Sequence, residues 1–426
     1  MSIHNMTPAQ LKALETSLSS AYQALQKEKL NLDITRGKPA ITQVSLANQL
    51  DGILDGDYLS DSGIDTRNYG NLRGLPEACQ LGGDVLKIPA SQVISGGNSS
   101  LSLMYMTALL QYLYGVEGKQ VAKPWESFER PTFICPVPGY DRHFSICESL
   151  DIKMVTVPML ETGPDMDAVE TLIKENDQIV GMWCVPKFSN PTGASYSNET
   201  VDRIAQLGKI AQPSFRVLWD NAYAIHTLEN NPQSLSNIWQ ACQQYGTEDS
   251  VWLFASTSKV TFAGAGIAWL ASSTDNLTAF EKLLGITTIG ADKVNQLRHM
   301  RLFPNLTSLT EHMKKHAESL KPKFETVFKM LEKELTDYGT WSSVSGGYFI
   351  SFDSHVGLAK HIIQLAADAG LKLTPAGSTF PYKQDMEDRN IRIAPSFPPE
   401  NELKKAMEIF TVCVKLATVK HTLEMK

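Results

Sequence analysis

The sequence predicts an α/β fold: a large domain with a mostly parallel sheet sandwiched by helices, plus a smaller α+β domain. Three observations carry this. First, short apolar runs recur between about residues 90 and 275: "QVIS", "TFICPV", "DIKMVTVPM", "IVGMWCVP", "RVLWD", "VWLFAS" and "GIAWLAS". They are nearly unbroken rather than alternating, as expected of strands buried on both faces. Second, helix-like stretches such as "SSLSLMYMTALLQYLYG" and "NETVDRIAQLGKIAQ" separate several of them, which is the rhythm of a parallel sheet. Third, helical patterns dominate after about residue 290, so the sheet ends and a different packing begins.

In chain order, "TPAQLKALETSLSSAYQALQKEKL" opens with Thr7 as a candidate N-cap and Pro8 at the first helical position. Leu11, Leu14, Leu18, Tyr22 and Leu25 fall on one face of an amphipathic helix. "LDITRGKP" follows as a short extended piece ending in a Gly/Pro break. Beyond the strand-rich region come "TSLTEHMKKHAESLKPKFETVFKMLEKEL" and "ENELKKAMEIFTVCVKLATVKHTLEM", with strand-like "GGYFISFD" and "IRIAP" between them. The N-terminal helix needs a partner for its apolar face. The expected division is therefore 1–50 with 300–426 as the small domain, and 51–299 as the large one.

The chain has 426 residues, 42% hydrophobic and 20% charged, enough to bury a core without staples. A net charge of −7 offers no field for nucleic acid or an anionic membrane. None of the six cysteines (Cys79, Cys135, Cys147, Cys184, Cys242, Cys413) forms a C-x-x-C pair, which fits free thiols in a reducing compartment. The first residues show no secretory leader, and no apolar run reaches membrane-spanning length. The expectation is a soluble, cytoplasmic protein.

In open α/β sheets ligands bind outside the carboxyl ends of the strands. The residues after each apolar run are therefore the informative ones. "GGNSS" follows "QVIS" and precedes a helix, a setting that suits a phosphate. "PGYDRH", "SNPTG", "DNAY" and "TSK" follow later runs. A tyrosine, an asparagine, an acid and a lysine can thus converge on one crevice. Around a pyridine-aldehyde cofactor each has a job. A partly buried lysine can form an imine with the aldehyde. A carboxylate beside the pyridine nitrogen keeps it protonated, so the ring draws electrons. Tyrosine and asparagine donate to the phenolate oxygen, and an aromatic stacks on the ring.

The order "PGYDRH", "NPTG", "DNAY", "STSK", "IRIAP" resembles that of the fold-type I pyridoxal-phosphate aminotransferases. "LDITRGKP", "STSKVTFAGAG" and "NQLRHMRLF" resemble, more narrowly, a bacterial subgroup of aspartate aminotransferases. The resemblance implies pyridoxal 5'-phosphate as cofactor. It makes Lys259 the covalent attachment and proton shuttle, Asp220 the partner of the ring nitrogen, and His143 a residue behind Asp220. Tyr223 and Asn190 would bond the phenolate oxygen and Tyr140 would stack on the ring. Gly97, Asn98, Ser99, Ser256 and Ser258 would hold the phosphate. Arg392 would grip the substrate α-carboxylate as a bidentate fork. Tyr69, in "RNYGNLRGLP", resembles a tyrosine that reaches the neighbouring subunit's phosphate, which implies a homodimer with shared active sites.

One position departs from the family. An arginine usually stands eight residues after the lysine and binds the phosphate; here it is Ile267, with no Arg or Lys from Val260 to Thr274. Arg36 or Arg73 could supply that charge. A dicarboxylic substrate needs a second cation, for which Arg301, Arg36, Arg142, Arg298 and Lys187 are candidates; Arg301 best resembles a residue reaching across from a neighbouring subunit. "HMKKH" sets His312 and His316 on one helix face, lacks the acid of a zinc-protease motif, and reads as a solvated helix.

The resemblance points to aspartate and 2-oxoglutarate as the amino acid and 2-oxo acid, by a ping-pong route. Aminotransferases for alanine, aromatic or 2-aminoadipate-like substrates are the alternatives, as is a β-lyase or decarboxylase on the same fold. A pyridoxal-phosphate-sensing transcription regulator needs some sixty residues or more of DNA-binding domain in front, and only about thirty precede "LDITRGKP". A dinucleotide-binding dehydrogenase is disfavoured because "GAGIAW" lacks the third glycine of the fingerprint.

Overall fold

The main sheet grows from the apolar runs already quoted. A computed structural model describes residues 3–116, 122–229 and 234–425. The strands are β1 (Val93–Ser95), β2 (Thr132–Val137), β3 (Lys153–Leu160), β4 (Gly163–Pro164), β5 (Ile179–Cys184), β6 (Arg216–Asp220), β7 (Val251–Ser256) and β8 (Ala268–Ala271). They lie in the order β1-β8-β7-β6-β5-β2-β3-β4. β7, β6, β5, β2 and β3 pair in parallel, while β8 runs antiparallel to β1 and β7. The unbroken runs follow from burial on both faces. Val217, Trp219 and Leu253 join one apolar core, while Leu218, Trp252 and Phe254 join another across the sheet.

A third core is built from both ends of the chain. Helix α1 (Pro8–Lys27) is capped by Thr7, whose hydroxyl accepts from the Gln10 amide, and Leu11, Leu18, Tyr22 and Leu25 face inward. A short helix α2 (Ile41–Val44) follows. The other helices used below are α3 (Ser100–Leu113), α4 (Asp141–Ser149), α5 (Lys293–Leu302), α6 (Leu306–Leu335) and α7 (Glu400–Glu424). A three-stranded antiparallel sheet, β9 (Gly339–Trp341), β10 (Ile350–Ser354) and β11 (Asn390–Ile393), packs with α1, α6 and α7 around this core. Leu32–Asp33 pairs in parallel with Leu371–Lys372, and the segment after it, 35–38, lies beside the carboxyl end of the main sheet.

Helix α6 belongs to both bodies of apolar packing. Leu309 and Met313 join the core beneath the main sheet, whereas Leu320, Phe324, Val327 and Leu331 join the third core. The change of partner expected at residue 300 falls inside this helix. Pro322 stands just past the crossover. No helix among the described residues is long and apolar enough to cross a membrane. All six cysteines are buried and free.

Candidate active site

Parallel β2, β5, β6 and β7 deliver their carboxyl ends to one edge. There the chain order reverses between β2 and β5, the place where an open α/β sheet leaves a crevice. A cavity of about 590 Å³ opens at that edge. It is lined by Tyr140 after β2, Asn190 after β5, Asp220 at the end of β6 and Tyr223 after it, and Ser256 at the end of β7 with Ser258 and Lys259 after it. Ser99, the N-cap of α3, closes one end, and Arg392 on β11 faces in from the small sheet.

Asp220 is 3% exposed. Its Oδ2 accepts from His143 Nε2 at 3.0 Å, and its Oδ1 is buried with no hydrogen-bond partner. His143 sits on α4 and stacks on Trp183, ring centroids 4.2 Å apart and 7° from parallel. Trp183 in turn donates to Cys147 Sγ at 3.2 Å. The imidazole thus has a fixed ring plane, and a carboxylate oxygen is left aimed without a donor. An orphaned buried acceptor is costly unless something supplies it. A protonated ring nitrogen is such a donor.

The Lys259 amine lies 5.0 Å from the centre of the Tyr223 ring and lines the cavity. Burial pushes its pKa below the ordinary lysine value, with the negative charge of Asp220 opposing. Burial pushes Tyr140 up to about 12 and Tyr223 well above the usual phenol value, so both phenols keep their protons and can donate. Asn190 Oδ1 accepts from Arg392 Nη1 at 3.3 Å, which leaves the amide nitrogen of Asn190 as its donor. Arg392 also donates from Nη2 to Thr35 O and Thr374 Oγ1, both at 3.3 Å. It lies 4.8 Å from the Phe349 ring centre and 3.8 Å from Asp141 Oδ1, and its Nε is buried without a partner. This guanidinium is held in place but not neutralised at close range.

At the other end, a Cβ on Gly97 would meet nothing within 4 Å, so the space beside it is open. Ser256 donates to Ser258 Oγ at 3.0 Å, and Ser99 Oγ caps Ser102 N. Helix α3 presents its free N–H groups there. Asn98 does not line the cavity; its side chain donates to Gly264 O at 2.9 Å. Ile267, where an arginine was expected, is 1% exposed and packs with Val260 and Trp269 in the core beneath the sheet. Arg73 does not replace it, because both its Nε and Nη2 are held by Glu281.

The candidate second cations separate cleanly. Arg36 and Arg142 line the cavity. Arg301 lies outside it, paired with Asp57 and Asp61 at 2.9 and 3.0 Å. Lys187 turns away, donating to Ala224 O and lining a different cavity. Arg298 and Tyr69 do not line the cavity either, and Tyr69 is 82% exposed.

The expectation of a solvated "HMKKH" helix is corrected. Lys314 and Lys315 face solvent, but His312 and His316 are 6% and 1% exposed. Their i, i+4 spacing puts both on the buried face of α6, against the turn that carries Lys259; His312 Nε2 lies 2.9 Å from Val260 O. Sequence reasoning also missed Thr35, Asp141, Phe349 and Thr374. Such residue types carry no signal of their own; only the fold brings them to the cavity wall.

Burial pushes His316 down to about 4, and His312 adds to the effect. His312 and His226 are shifted the same way. Unfolded histidine takes its proton near 6.5. These imidazoles therefore stabilise the fold fully above about 6.5, and that contribution is lost as pH falls toward 4. The melting temperature is expected to drop across this window, and His316→Gln to flatten part of the drop. A variant profile parallel to the wild type would remove His316 from the account.

A family model described as aspartate amino-transferase matches residues 6–426. An aspartate aminotransferase of Corynebacterium glutamicum is 42% identical over 424 residues, 99% of this chain and 97% of that protein. The crystal structure of an aspartate transaminase from the same species superposes with a TM-score of 0.95 at 41% identity, covering 99% of both chains. At 17% identity, an α-aminoadipate aminotransferase from Thermus thermophilus shares the fold, with a TM-score of 0.74 over 93% of both chains.

Proposed function

The chain belongs to the aspartate amino-transferase family, and from that premise we propose that it transfers the amino group of aspartate to 2-oxoglutarate with pyridoxal 5'-phosphate. The observation that carries the reading is the buried Asp220 with one oxygen unpartnered, on the same cavity as Lys259 and Arg392. The donor set suits the cofactor at each end: a carboxylate for the ring nitrogen, an amine for the aldehyde, hydroxyls and helix N–H groups for the phosphate.

Bound pyridoxal phosphate supplies an aldehyde and an electron-accepting ring. The rest is done by this chain. Asp220 Oδ1 would hold the positive ring nitrogen while His143 keeps Oδ2 occupied. Tyr140 would stack on the ring; Tyr223 and the Asn190 amide would donate to the phenolate oxygen. Lys259 Nζ, made less basic by burial, reaches its neutral form more readily and takes the donor's α-proton. Arg392 exchanges Asp141 for the substrate α-carboxylate. One cavity serves donor and acceptor in turn, so initial-rate plots should show parallel lines.

Aspartate is favoured because Arg36 and Arg142 line the cavity without an ion-pair or side-chain hydrogen-bond partner among the described residues. Replacing either with alanine is expected to lower kcat/KM for aspartate by about 10- to 100-fold, the worth of a charge-assisted hydrogen bond. Alanine as donor should change by less than about threefold, since a neutral side chain forgoes that bond. The deciding test is a donor panel in half-reactions. Alanine or phenylalanine converting as fast as aspartate would overturn the dicarboxylate assignment and leave an aminotransferase of another specificity.

A second copy of the chain belongs to the proposal. Tyr69 stands exposed and away from this chain's own cavity, as suits a phenol that completes the phosphate site of a partner. Arg301 would have to leave Asp57 and Asp61 to read a partner's substrate.

A further inference from the structure

Buried side chains from separate segments converge on the main chain of the Lys259 turn, and none of them lines the cavity. Gln43 comes from α2, His312 and His316 from α6, and Tyr348 from the segment before β10. Gln43 and Tyr348 are 0% exposed, His316 1% and His312 6%. A buried polar cluster of this size needs every proton placed.

The proton positions follow from groups that can act in only one way. Ala40 N–H donates to Gln43 Oε1 at 3.0 Å, so the amide nitrogen of Gln43 must face the other way. It donates to Tyr348 Oη at 3.0 Å and to His316 Nδ1 at 3.1 Å. The Tyr348 hydroxyl proton is then free to point at Lys259 O, 3.3 Å away. With Nδ1 accepting, neutral His316 carries its proton on Nε2. A carbonyl only accepts, so His312 Nε2, 2.9 Å from Val260 O, is also protonated. The two Nε2 atoms stand 3.1 Å apart. Two N–H groups cannot bond each other, so the His316 proton is left to turn toward the Val260 carbonyl, whose second lone pair is not used by His312. Next along, Thr261 Oγ1 bonds His299 Nε2 at 2.9 Å, and Thr257 Oγ1 accepts from Ile267 N at 2.8 Å. Side chains from outside thus bond the turn at Lys259, Val260 and Thr261, and the Ile267 backbone bonds it at Thr257.

We propose that Gln43, Tyr348, His312 and His316 form a positioning network: by fixing the carbonyls of Lys259 and Val260 it sets where the Lys259 amine points, and so governs the proton-transfer rate rather than substrate affinity. This rests on the reading of Lys259 as the proton-moving residue. A network built of neutral groups suits the place. A charged imidazole would stand beside a lysine that must spend time uncharged, whereas neutral N–H and O–H groups hold the backbone without adding a field. His226 is likewise buried beside the turn, 3% exposed and 5.8 Å from the Tyr348 ring, with its pKa pushed well below the usual histidine value by burial.

The test uses full-length holoenzyme with three variants: Tyr348→Phe, which removes one hydroxyl, and His312→Leu against His312→Gln, whose amide can reach the same carbonyl. The readouts are the saturating half-reaction rate constant with aspartate, the aspartate KM, and amide hydrogen exchange of the peptide covering residues 257–262. His312→Leu should slow the half-reaction by about tenfold or more, the order of one buried hydrogen bond. It should leave KM within about twofold and speed exchange by about tenfold. His312→Gln should recover most of both, and Tyr348→Phe should slow the rate by several-fold with its melting temperature little changed. Wild-type rate and exchange in His312→Leu, a glutamine no better than leucine, or a KM rising as far as the rate falls would each overturn the proposal. If the leucine variant does not fold, Tyr348→Phe decides alone. Exchange needs no substrate, so a wild type inactive toward aspartate would sink the proposed function while the network is still judged.

Discussion

Replacing Lys259 with alanine is expected to lower kcat by about 10⁴-fold or more, because in the proposed function one group supplies both the covalent attachment and the proton transfer. Its neighbours are poorly placed to substitute: Lys38, the other lysine on the cavity wall, has its amine over the Phe397 ring, 3.8 Å from the ring centre. Lys187 is held by Ala224 O in another cavity, and the imidazoles near the turn are buried with their pKa values pushed down. Arg36 and Arg142 cannot deprotonate. Borohydride treatment followed by peptide mass analysis gives an independent measure. The wild type should retain cofactor mass on the peptide holding Lys259, and the variant should retain none. A variant that still fixes the cofactor on another lysine would refute the assignment, whatever its activity.

Substituting Asp220 with alanine should rank second. A carboxylate about 4 Å from a positive nitrogen, in surroundings of effective dielectric about 20, interacts by about 4 kcal/mol. That is about a 10³-fold loss in the half-reaction rate constant. Asp220→Asn separates charge from shape, since the amide keeps the His143 contact but cannot hold a positive ring nitrogen. It should lose nearly as much as alanine while keeping its melting temperature. If the asparagine variant works within about threefold of wild type, the charge of Asp220 is not what the site uses.

The sequence was legible where chemistry and chain order coincide. Lys259, Asp220, Tyr223, Asn190 and Tyr140 each follow an apolar run, and parallel pairing carries all five to one edge. Arg392 was legible through its apolar neighbours in "IRIAP". The histidines of "HMKKH" were misjudged because two lysines between them read as a wet face, while the i, i+4 pair faces inward. Asn98 is given a phosphate contact by the family resemblance, and in the structure its side-chain amide donates to Gly264 O. Arg301 was singled out by position, and the two carboxylates that hold it come from some 240 residues earlier. Local pattern reports which way a residue faces within its own element. It does not report which distant element arrives opposite.

Helix α6 is a rod seated at one end under the main sheet and at the other in the small core. Pro322 lies between His316, which braces the lysine turn, and Phe324, which is buried in the small core. Proline offers no N–H to the preceding turn, so the Glu318 carbonyl loses its helical bond there. The rod is therefore most compliant just inside its small-core seat, past Leu320, and stiffer along the stretch that carries His312 and His316. The small core still holds the Lys259 turn directly, through the Tyr348 hydroxyl on the Lys259 carbonyl.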